Sequence, residues 1–270
     1  MHGRSVMTSP SVRDIGAVNW IGLYWLVRRE VRRFLTVWLQ TVLGPVVATL
    51  LFLAIFVVVL GKQGLAVPGV SYLEFIAPGM VMMTMLQNAF ANTSSSILIA
   101  KVSGTIADVL VAPLTAVELT VGYALGACIR GLATGVLVAA ALAPFGALMP
   151  IDVVPIIVHA ILATLGFALL GIIAGIFAER MEHVAALSNL VIAPLTVLSG
   201  VFFATAHLPA EFRFAVEFNP VFYLIDGFRQ GFLPFAETDA AAGFAVVVAL
   251  NVVLFWICRR LFASGRGLKP

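Results

Sequence analysis

The stretch VVPIIVHAILATLGFALLGIIAGIF, residues 153–177, contains no Asp, Glu, Lys or Arg. A helix of roughly 20 apolar residues crosses a hydrocarbon core of about 30 Å, so this run is long enough to span a bilayer. Its apolar residues follow one another without alternating with polar ones, which is typical of a membrane helix and excludes a membrane barrel strand. The stretch predicts a transmembrane helix.

The composition of the whole chain agrees with this reading. Of its 270 residues 61% are hydrophobic and 11% are charged, and the mean hydropathy is +1.08. This is more apolar surface than one water-soluble core can bury, and too few charges to cover it. The net charge is +3, but the basic residues flank apolar runs, as expected at the cytoplasmic ends of membrane helices. We therefore predict no nucleic-acid partner. We therefore predict an all-α integral membrane protein.

Six apolar runs predict six transmembrane helices, at about 41–60, 75–98, 117–143, 153–177, 187–205 and 243–262. An even number of crossings puts both termini on one side. With the termini inside, twelve Lys and Arg residues lie in inner segments and three in outer loops, which favours cytoplasmic termini. The inner group comprises Arg4, Arg13, Arg28, Arg29, Arg32, Arg33, Lys101, Arg180, Arg259, Arg260, Arg266 and Lys269, and the outer group comprises Lys62, Arg213 and Arg229.

The chain divides into residues 1–40 at the amino end, a membrane domain over 41–262 and a cytoplasmic tail over 263–270. Within the first part, apolar residues recur every three or four positions from 18 to 39 and predict an amphipathic helix at the membrane interface. Four arginines occupy its other side and are expected to meet anionic lipid: Arg28, Arg29, Arg32 and Arg33. Met1 and Met7 are both possible starts.

Two connecting segments are expected to form short helices. The inner one covers about 100–116, where Gly104 and Pro113 bound a stretch of mixed polarity. An ordinary inner loop is the alternative there. The outer one covers about 206–240, where Pro209, Pro220 and Pro234 interrupt any single helix. We expect short or re-entrant helices in that segment.

No motif of a nucleotide-binding loop, a nucleophile elbow or a zinc protease occurs, and the four histidines are scattered. Cys128 and Cys258 lie within apolar runs, without a second ligand at metal-binding spacing. We therefore predict no catalytic residue, no metal site and no cofactor bound by this chain. Active transport would need energy from a partner protein or from an ion gradient.

Polar residues inside the predicted spans are few. Arg130 lies well inside the third span, where it either pairs with a neighbour, lines a wet cavity or reaches the interface. The second span carries a run of amides and hydroxyls that join helices by hydrogen bonds or contact a transported molecule. The candidates for lining a pathway are Gln87, Asn88, Asn92 and Arg130.

Three sequence pieces occur in an order and spacing that resemble the permease of the ABC type-2 exporter family. They are YLEFIAPGM from Tyr72; SGTIADVLVAPLTAVEL from Ser103, with Gly122 and Arg130 following; and PLTVLSGVFF from Pro194, with Leu208, Pro209 and FNPVFYLIDGFRQGF from Phe218. The resemblance covers nearly the whole chain. It implies outward transport of an amphiphile, such as a lipid, a lipid-linked saccharide or a drug, across a bacterial inner membrane.

The resemblance also implies partners and site residues. The inner segment would be a coupling helix docking on a separate ATP-binding subunit, present in two copies that hold ATP and Mg²⁺, through Lys101, Gly104, Thr105, Asp108, Pro113 and Leu114. The helix over 18–39 would be the connecting helix. The outer segment would close the pathway with Asn219, Pro220, Tyr223, Asp226 and Arg229. Asp226 and Arg229, three apart on a predicted helix, are alternatively an ion pair of structural value only.

One six-span unit per chain makes a homodimer the simplest assembly, with a heterodimer as the alternative. Two other functions stay open at this point. A secondary transporter driven by an ion gradient would need paired ionisable residues within the spans and duplicated halves. A membrane scaffold without transport activity would explain the spans alone. The sequence does not choose among the amphiphiles named above.

Overall fold

The computed structural model describes residues 16–60, 65–67, 69–205 and 208–268, and these are helical almost throughout. The predictions on residues 1–15, 61–64, 206–207 and 269–270 lie outside the described residues. The helices are α1 (Trp20–Thr36), α2 (Gly44–Leu60), α3 (Tyr72–Val102), α4 (Ile106–Val111), α5 (Ala116–Leu142), α6 (Val153–Phe177), α7 (Met181–Leu187), α8 (Ala193–Val197), α9 (Ala210–Glu217), α10 (Pro220–Arg229) and α11 (Ala240–Ser264). Strands β1 (Leu65–Val67) and β2 (Val70–Ser71) form a short antiparallel hairpin that the sequence analysis did not predict.

Three of the described helices are long and apolar enough to cross a membrane: Ala116–Phe145, which includes a 3₁₀ turn after α5, Val153–Phe177 and Ala240–Ser264. Two more apolar helices, Gly44–Ile55 and Met181–Val197, are shorter. Helix α3 has 31 residues, but the amides and hydroxyls in its second half lower its hydropathy. The mainly helical membrane fold is confirmed, and the count of six spans stays a prediction.

The start of α3 differs from the expected residue 75 because of a capping box. Ser71 accepts a hydrogen bond from the backbone of Glu74, whose carboxylate accepts one in return from the Ser71 backbone. The same reciprocal bonds between Thr115 and Glu118 begin α5. Local capping therefore fixes both helix starts.

The inner connecting segment contains a shorter helix than expected. Helix α3 continues to Val102, and Gly104 then turns the chain with a φ of +75°, so only the six residues of α4 form the predicted short helix. A positive φ is accessible to glycine without steric cost. The expected start near residue 100 was wrong, because the last turn of α3 is still α-helical there.

The fifth apolar helix also lies earlier than expected. It runs from Met181 to Val197, not from 187 to 205, with a π-helical turn over Ser188–Ile192 just before Pro194. Proline has no backbone N–H for the helical ladder, and π-turns often occur where that ladder is disturbed. At Gly200 the chain turns with a φ of +74°. The two short outer helices α9 and α10 follow, and whether they re-enter the membrane stays a prediction.

Helices α3 and α6 pack closely and point in the same direction. A Cβ on Gly171 would lie 2.5 Å from the carbonyl oxygen of Phe90, and a Cβ on Gly175 would lie 2.8 Å from that of Ser94. The two contacts are four residues apart on each helix, as in the small-xxx-small motif of membrane helices. Thr93 adds a hydrogen bond of 2.8 Å to the backbone of Ala168.

Replacing Gly171 by alanine should destabilise the protein by about 1–3 kcal/mol, because its methyl group would overlap Thr93 Oγ1 at 2.1 Å and the Phe90 backbone. Gly44→Ala is the matched control, since no atom lies within 4 Å of a Cβ there. Thermal unfolding in detergent, followed by tryptophan fluorescence, measures both. Equal melting temperatures for the two variants would contradict this close packing.

Candidate functional site

The polar run of α3 contacts two arginine-bearing helices, α1 and α5. Asn92 accepts bonds from Arg33 Nη2 through its side-chain oxygen (3.0 Å) and its backbone oxygen (2.6 Å). One turn away, Asn88 Oδ1 accepts a bond of 3.1 Å from Arg130 Nη2. The two amides, four residues apart, thus each hold one guanidinium. We call this set of residues on α1, α3 and α5, with Arg29, Glu30, Tyr123, Ser95 and Ser96, the polar seam.

Glu30 is the centre of the polar seam and is 0% exposed. Its Oε1 accepts bonds from Arg29 Nη2 at 3.0 Å and from Ser96 Oγ at 2.8 Å, and its Oε2 lies 3.6 Å from Arg33 Nε. A buried carboxylate is stable only when it is paired and hydrogen-bonded in this way. The close approach of Glu30 to α5 requires Gly126, since a Cβ there would lie 2.4 Å from Glu30 Cβ.

Helix α1 runs beside the first turns of α5 in the same direction. Asn19 N donates to Glu118 Oε1 at 2.5 Å, Leu26 packs on Gly122 and Glu30 packs on Gly126. The predicted amphipathic helix is therefore confirmed as a helix, with one side buried in the protein. Its position at a membrane surface stays a prediction.

The four arginines predicted as one exposed face of α1 are divided between two sides. Arg28 and Arg32 are exposed, whereas Arg29 and Arg33 contact the polar seam with 43% and 29% of their side chains still exposed. Burial lowers the pKa of Arg33, and Glu30 opposes this. Burial acts likewise on Arg29, but Tyr123 and Glu30 leave its pKa raised overall. The sequence analysis missed Glu30, although its three-residue spacing to Arg33 is the signal for a helical ion pair.

The remaining pathway candidate, Gln87, lies on another side of α3. Its Nε2 donates to Thr196 Oγ1 of α8 at 3.3 Å. All four candidates therefore join helices by hydrogen bonds, as the sequence alternative proposed. Asn88, which binds Arg130 of α5, shares one side of α3 with Asn92. Their contact with a transported molecule stays a prediction.

The predicted coupling residues surround α4. Gly104, Thr105, Asp108 and Pro113 are exposed, and Leu114 is half-buried. Lys101 instead donates its ammonium to the carbonyl oxygens of Ile176 and Ala178, at 2.5 and 2.8 Å, at the end of α6. A groove of about 330 Å³ separates α4 from α1 and is lined by Gly22, Trp25, Leu26, Arg29, Thr105, Asp108, Val109, Ala112 and Leu114.

The predicted outer residues lie in a second buried network. Arg229, 1% exposed, pairs with Glu237 at 3.0 Å, donates to the Gly200 carbonyl at 2.6 Å and covers the Phe75 ring at 3.8 Å. Asp226 accepts bonds from the backbone amides of Glu237 and Thr238 at 3.1 and 2.9 Å. The direct Asp226–Arg229 pair suggested by their spacing was wrong, because Glu237 lies closer to the guanidinium.

Asn219, Pro220 and Tyr223 shape the start of α10. Asn219 caps the helix at the amide of Val221 and donates to Leu195 O at 2.9 Å and Ser199 Oγ at 2.6 Å. Pro220 occupies the first helical position. The Tyr223 hydroxyl donates to the Glu217 carbonyl. These bonds attach the outer helices to the end of α8.

Across the described ranges, no group of three or more His, Cys, Asp or Glu side chains is arranged to hold a metal ion. Apart from Arg130, which binds the Asn88 side chain, the charged groups of both networks are paired with one another or with backbone atoms. Their geometry therefore suits the attachment of neighbouring helices to one another.

Replacing Glu30 by glutamine should destabilise the protein by about 2 kcal/mol, because Arg29 and Arg33 lose their shared carboxylate. Arg32→Gln, on the exposed side of the same helix, is the control and should change stability by less than about 0.5 kcal/mol. Thermal unfolding and protease accessibility of α1 measure the effect. An unchanged melting temperature for Glu30→Gln would show that the seam adds no stability.

Comparisons with known proteins assign the chain to a family. The ABC-2 type transporter family model matches residues 22–233. The inner membrane transport permease YadH of Escherichia coli K12 is 34% identical over 258 residues, which cover 93% of this chain and 98% of YadH. Nodulation protein J of Rhizobium leguminosarum bv. trifolii is 29% identical over 97% of each chain, and that of Rhizobium meliloti is 26% identical over 93% of this chain and 95% of its own. The chain therefore belongs to the ABC-2 type transporter family, as a transmembrane permease subunit of an ABC transporter in the bacterial inner membrane.

Proposed function

We propose that this permease exports an amphiphile, such as a lipid, a lipid-linked saccharide or a drug, with energy from a separate ATP-binding subunit. Two copies of that subunit, holding ATP and Mg²⁺, would act on two copies of this chain. The observation that carries the proposal is the exposed helix α4 between the ends of α3 and α5, both of which reach the polar seam. Membership of the ABC-2 family leaves the ion-gradient alternative without support.

Helix α4 has the surface of a docking element. Asp108 and Thr105 are exposed beside the apolar Val111, which is 84% exposed. An exposed apolar side chain rimmed by polar ones suits a protein interface. The groove between α4 and α1 offers a second contact for the same partner, and Trp25 lines it.

A force on α4 would reach the membrane helices by short connections. Three residues separate α3 from α4, and four separate α4 from α5. Asn19 binds the Pro113 carbonyl at 2.9 Å and Glu118, so the start of α1 follows the same segment. Closure of an ATPase dimer would therefore move α1, α3 and α5 together. Coupling also requires that ATP and the amphiphile favour different conformations, since a ligand that binds both conformations equally does not shift the equilibrium between them.

The pathway would run beside the polar side of α3, with Asn88, Asn92 and Arg130 as polar contacts. The outer helices α9 and α10 would close it from the other side. The attachment of Asn219 to Leu195 and Ser199 supports this role, because it ties the closing helices to the end of a predicted span. A homodimer would complete the pathway from two identical halves.

Both termini would be cytoplasmic in this arrangement. The start of α1 contacts the start of α5, and the Tyr123 ring of α5 stacks on Phe262 near the end of α11, with centroids 5.9 Å apart. The two ends of the described chain therefore lie at the same end of the helix bundle as α4. An excess of Lys and Arg in this part supports its cytoplasmic placement.

Asp108→Trp should reduce ATP hydrolysis by the complete transporter at least tenfold and leave the permease folded, because the bulky ring would obstruct docking at an exposed position. Glu211→Trp, exposed on outer helix α9, is the control and should leave hydrolysis unchanged. Co-purification of the ATP-binding subunit and vanadate-sensitive hydrolysis measure the effect. Full activity of Asp108→Trp would remove α4 from the docking surface.

Orientation is tested with single cysteines. Glu182→Cys should resist a membrane-impermeant maleimide in intact cells and react after lysis, whereas Phe218→Cys should react in intact cells; both positions are exposed. Cys128 and Cys258 are buried and provide a low background. The reverse labelling pattern would invert the proposed topology.

A further inference from the structure

A groove of about 660 Å³ lies on the flank of the helix bundle, between the start of α1, the start of α5 and the end of α11. Its walls are largely apolar, and its lining includes Trp20, Leu23, Val121, Leu125, Arg259 and Ala263. Glu118 also lines it, but its carboxylate is occupied by the amides of Asn19 and Thr115. The groove is therefore apolar, and one of its lining residues is a cation that can bind an anionic ligand.

That cation is Arg259. Among the described residues its guanidinium has no hydrogen bond, ion pair or ring contact, whereas the adjacent Arg260 covers the Trp256 ring at 3.8 Å. Arg259 and Ala263 are four residues apart and share one side of α11. An exposed guanidinium at the edge of an apolar groove has the right chemistry for a phosphate.

The groove continues into surface that faces lipid. Along α5, exposed Leu125 is followed one turn later by exposed Ile129, and along α11 Val252 and Trp256 are exposed in the same way. Both helices are long and apolar enough to span the membrane. A ligand with an anionic headgroup and apolar chains would pair with Arg259 and cover the exposed apolar residues of α5 and α11.

We propose that this groove binds one anionic phospholipid, with its phosphate on Arg259, its headgroup in the groove beside Val121, and its acyl chains along Leu125 and Ile129. The proposal rests on the cytoplasmic placement of this end of the bundle described under Proposed function. The inner leaflet carries the anionic lipid that such a site requires. The bound lipid would hold the start of α1 against α5 and α11, the same position through which Asn19 contacts the segment after α4.

The experiment is a titration of the full chain with phosphatidylglycerol in detergent, followed by native mass spectrometry. The wild type should retain one phosphatidylglycerol and should bind phosphatidylcholine more weakly. Arg259→Gln should weaken retention about fivefold, as expected for one cation near anionic lipid. Arg260→Gln is the matched control and should retain lipid as the wild type does.

Val121→Trp separates a shaped site from general charge attraction, because the indole would fill the groove and leave Arg259 in place. It should also reduce retention, at an unchanged melting temperature. Equal retention by Arg259→Gln and the wild type, or equal binding of both lipids, would overturn the proposal. A third result would also overturn it: a wild type that forms a dimer without any lipid adduct, and an Arg259→Gln variant that does not. In that case a second copy of the chain would occupy the groove. The titration needs neither ATP nor a transported molecule, so its failure would leave the proposed export function standing.

Discussion

The structure depends on the satisfaction of the polar groups of α3. A polar side chain left unpaired in hydrocarbon is costly, and α3 carries seven amides and hydroxyls within the ten residues 87–96. Each of its neighbours supplies partners for one side: Arg33 of α1 binds Asn92, Arg130 of α5 binds Asn88 and the α6 backbone binds Thr93. The positions of these polar residues along α3 therefore determine which helix packs on each of its sides.

Small residues make this pairing possible. Gly126 lets α1 approach α5 closely enough for the Glu30 carboxylate to be buried, and Gly171 does the same for α6 and α3. In a membrane, where lipid is as apolar as the helices, such close approach supplies the packing that a hydrophobic core supplies in water. The charge cluster therefore depends on the glycine contacts, because Glu30 can be buried only where the backbone of α5 lies close to α1.

The sequence analysis predicted the helices that hydropathy determines, and it missed the features that local capping and distant contacts determine. Helix α6 lies at 153–177 as expected, because an uninterrupted apolar run has one stable state in lipid. The fifth apolar helix was displaced by six residues because periodicity does not reveal the π-turn before Pro194. Arg229 was expected to pair with Asp226 by local spacing, but Glu237, which lies outside the helix, pairs with it instead. Glu30 was overlooked because its burial follows from a glycine 96 residues later in the chain.

The position of the polar seam along the membrane normal, in the proposed orientation, explains how a membrane helix tolerates its charges. Twenty residues separate the start of α3 from Asn92, and twenty separate the start of α11 from Arg260, which is about 30 Å of helix in each case. This length matches the thickness of the hydrocarbon core. In the proposed orientation, with the starts of α3 and α11 at the outer boundary, Asn92 and Arg260 would lie at the inner boundary, where water and headgroups share the solvation of charges. The last third of α3 would then extend beyond the hydrocarbon, so a partner acting on α4 would move a helical segment about 15 Å long, between Asn92 and Val102.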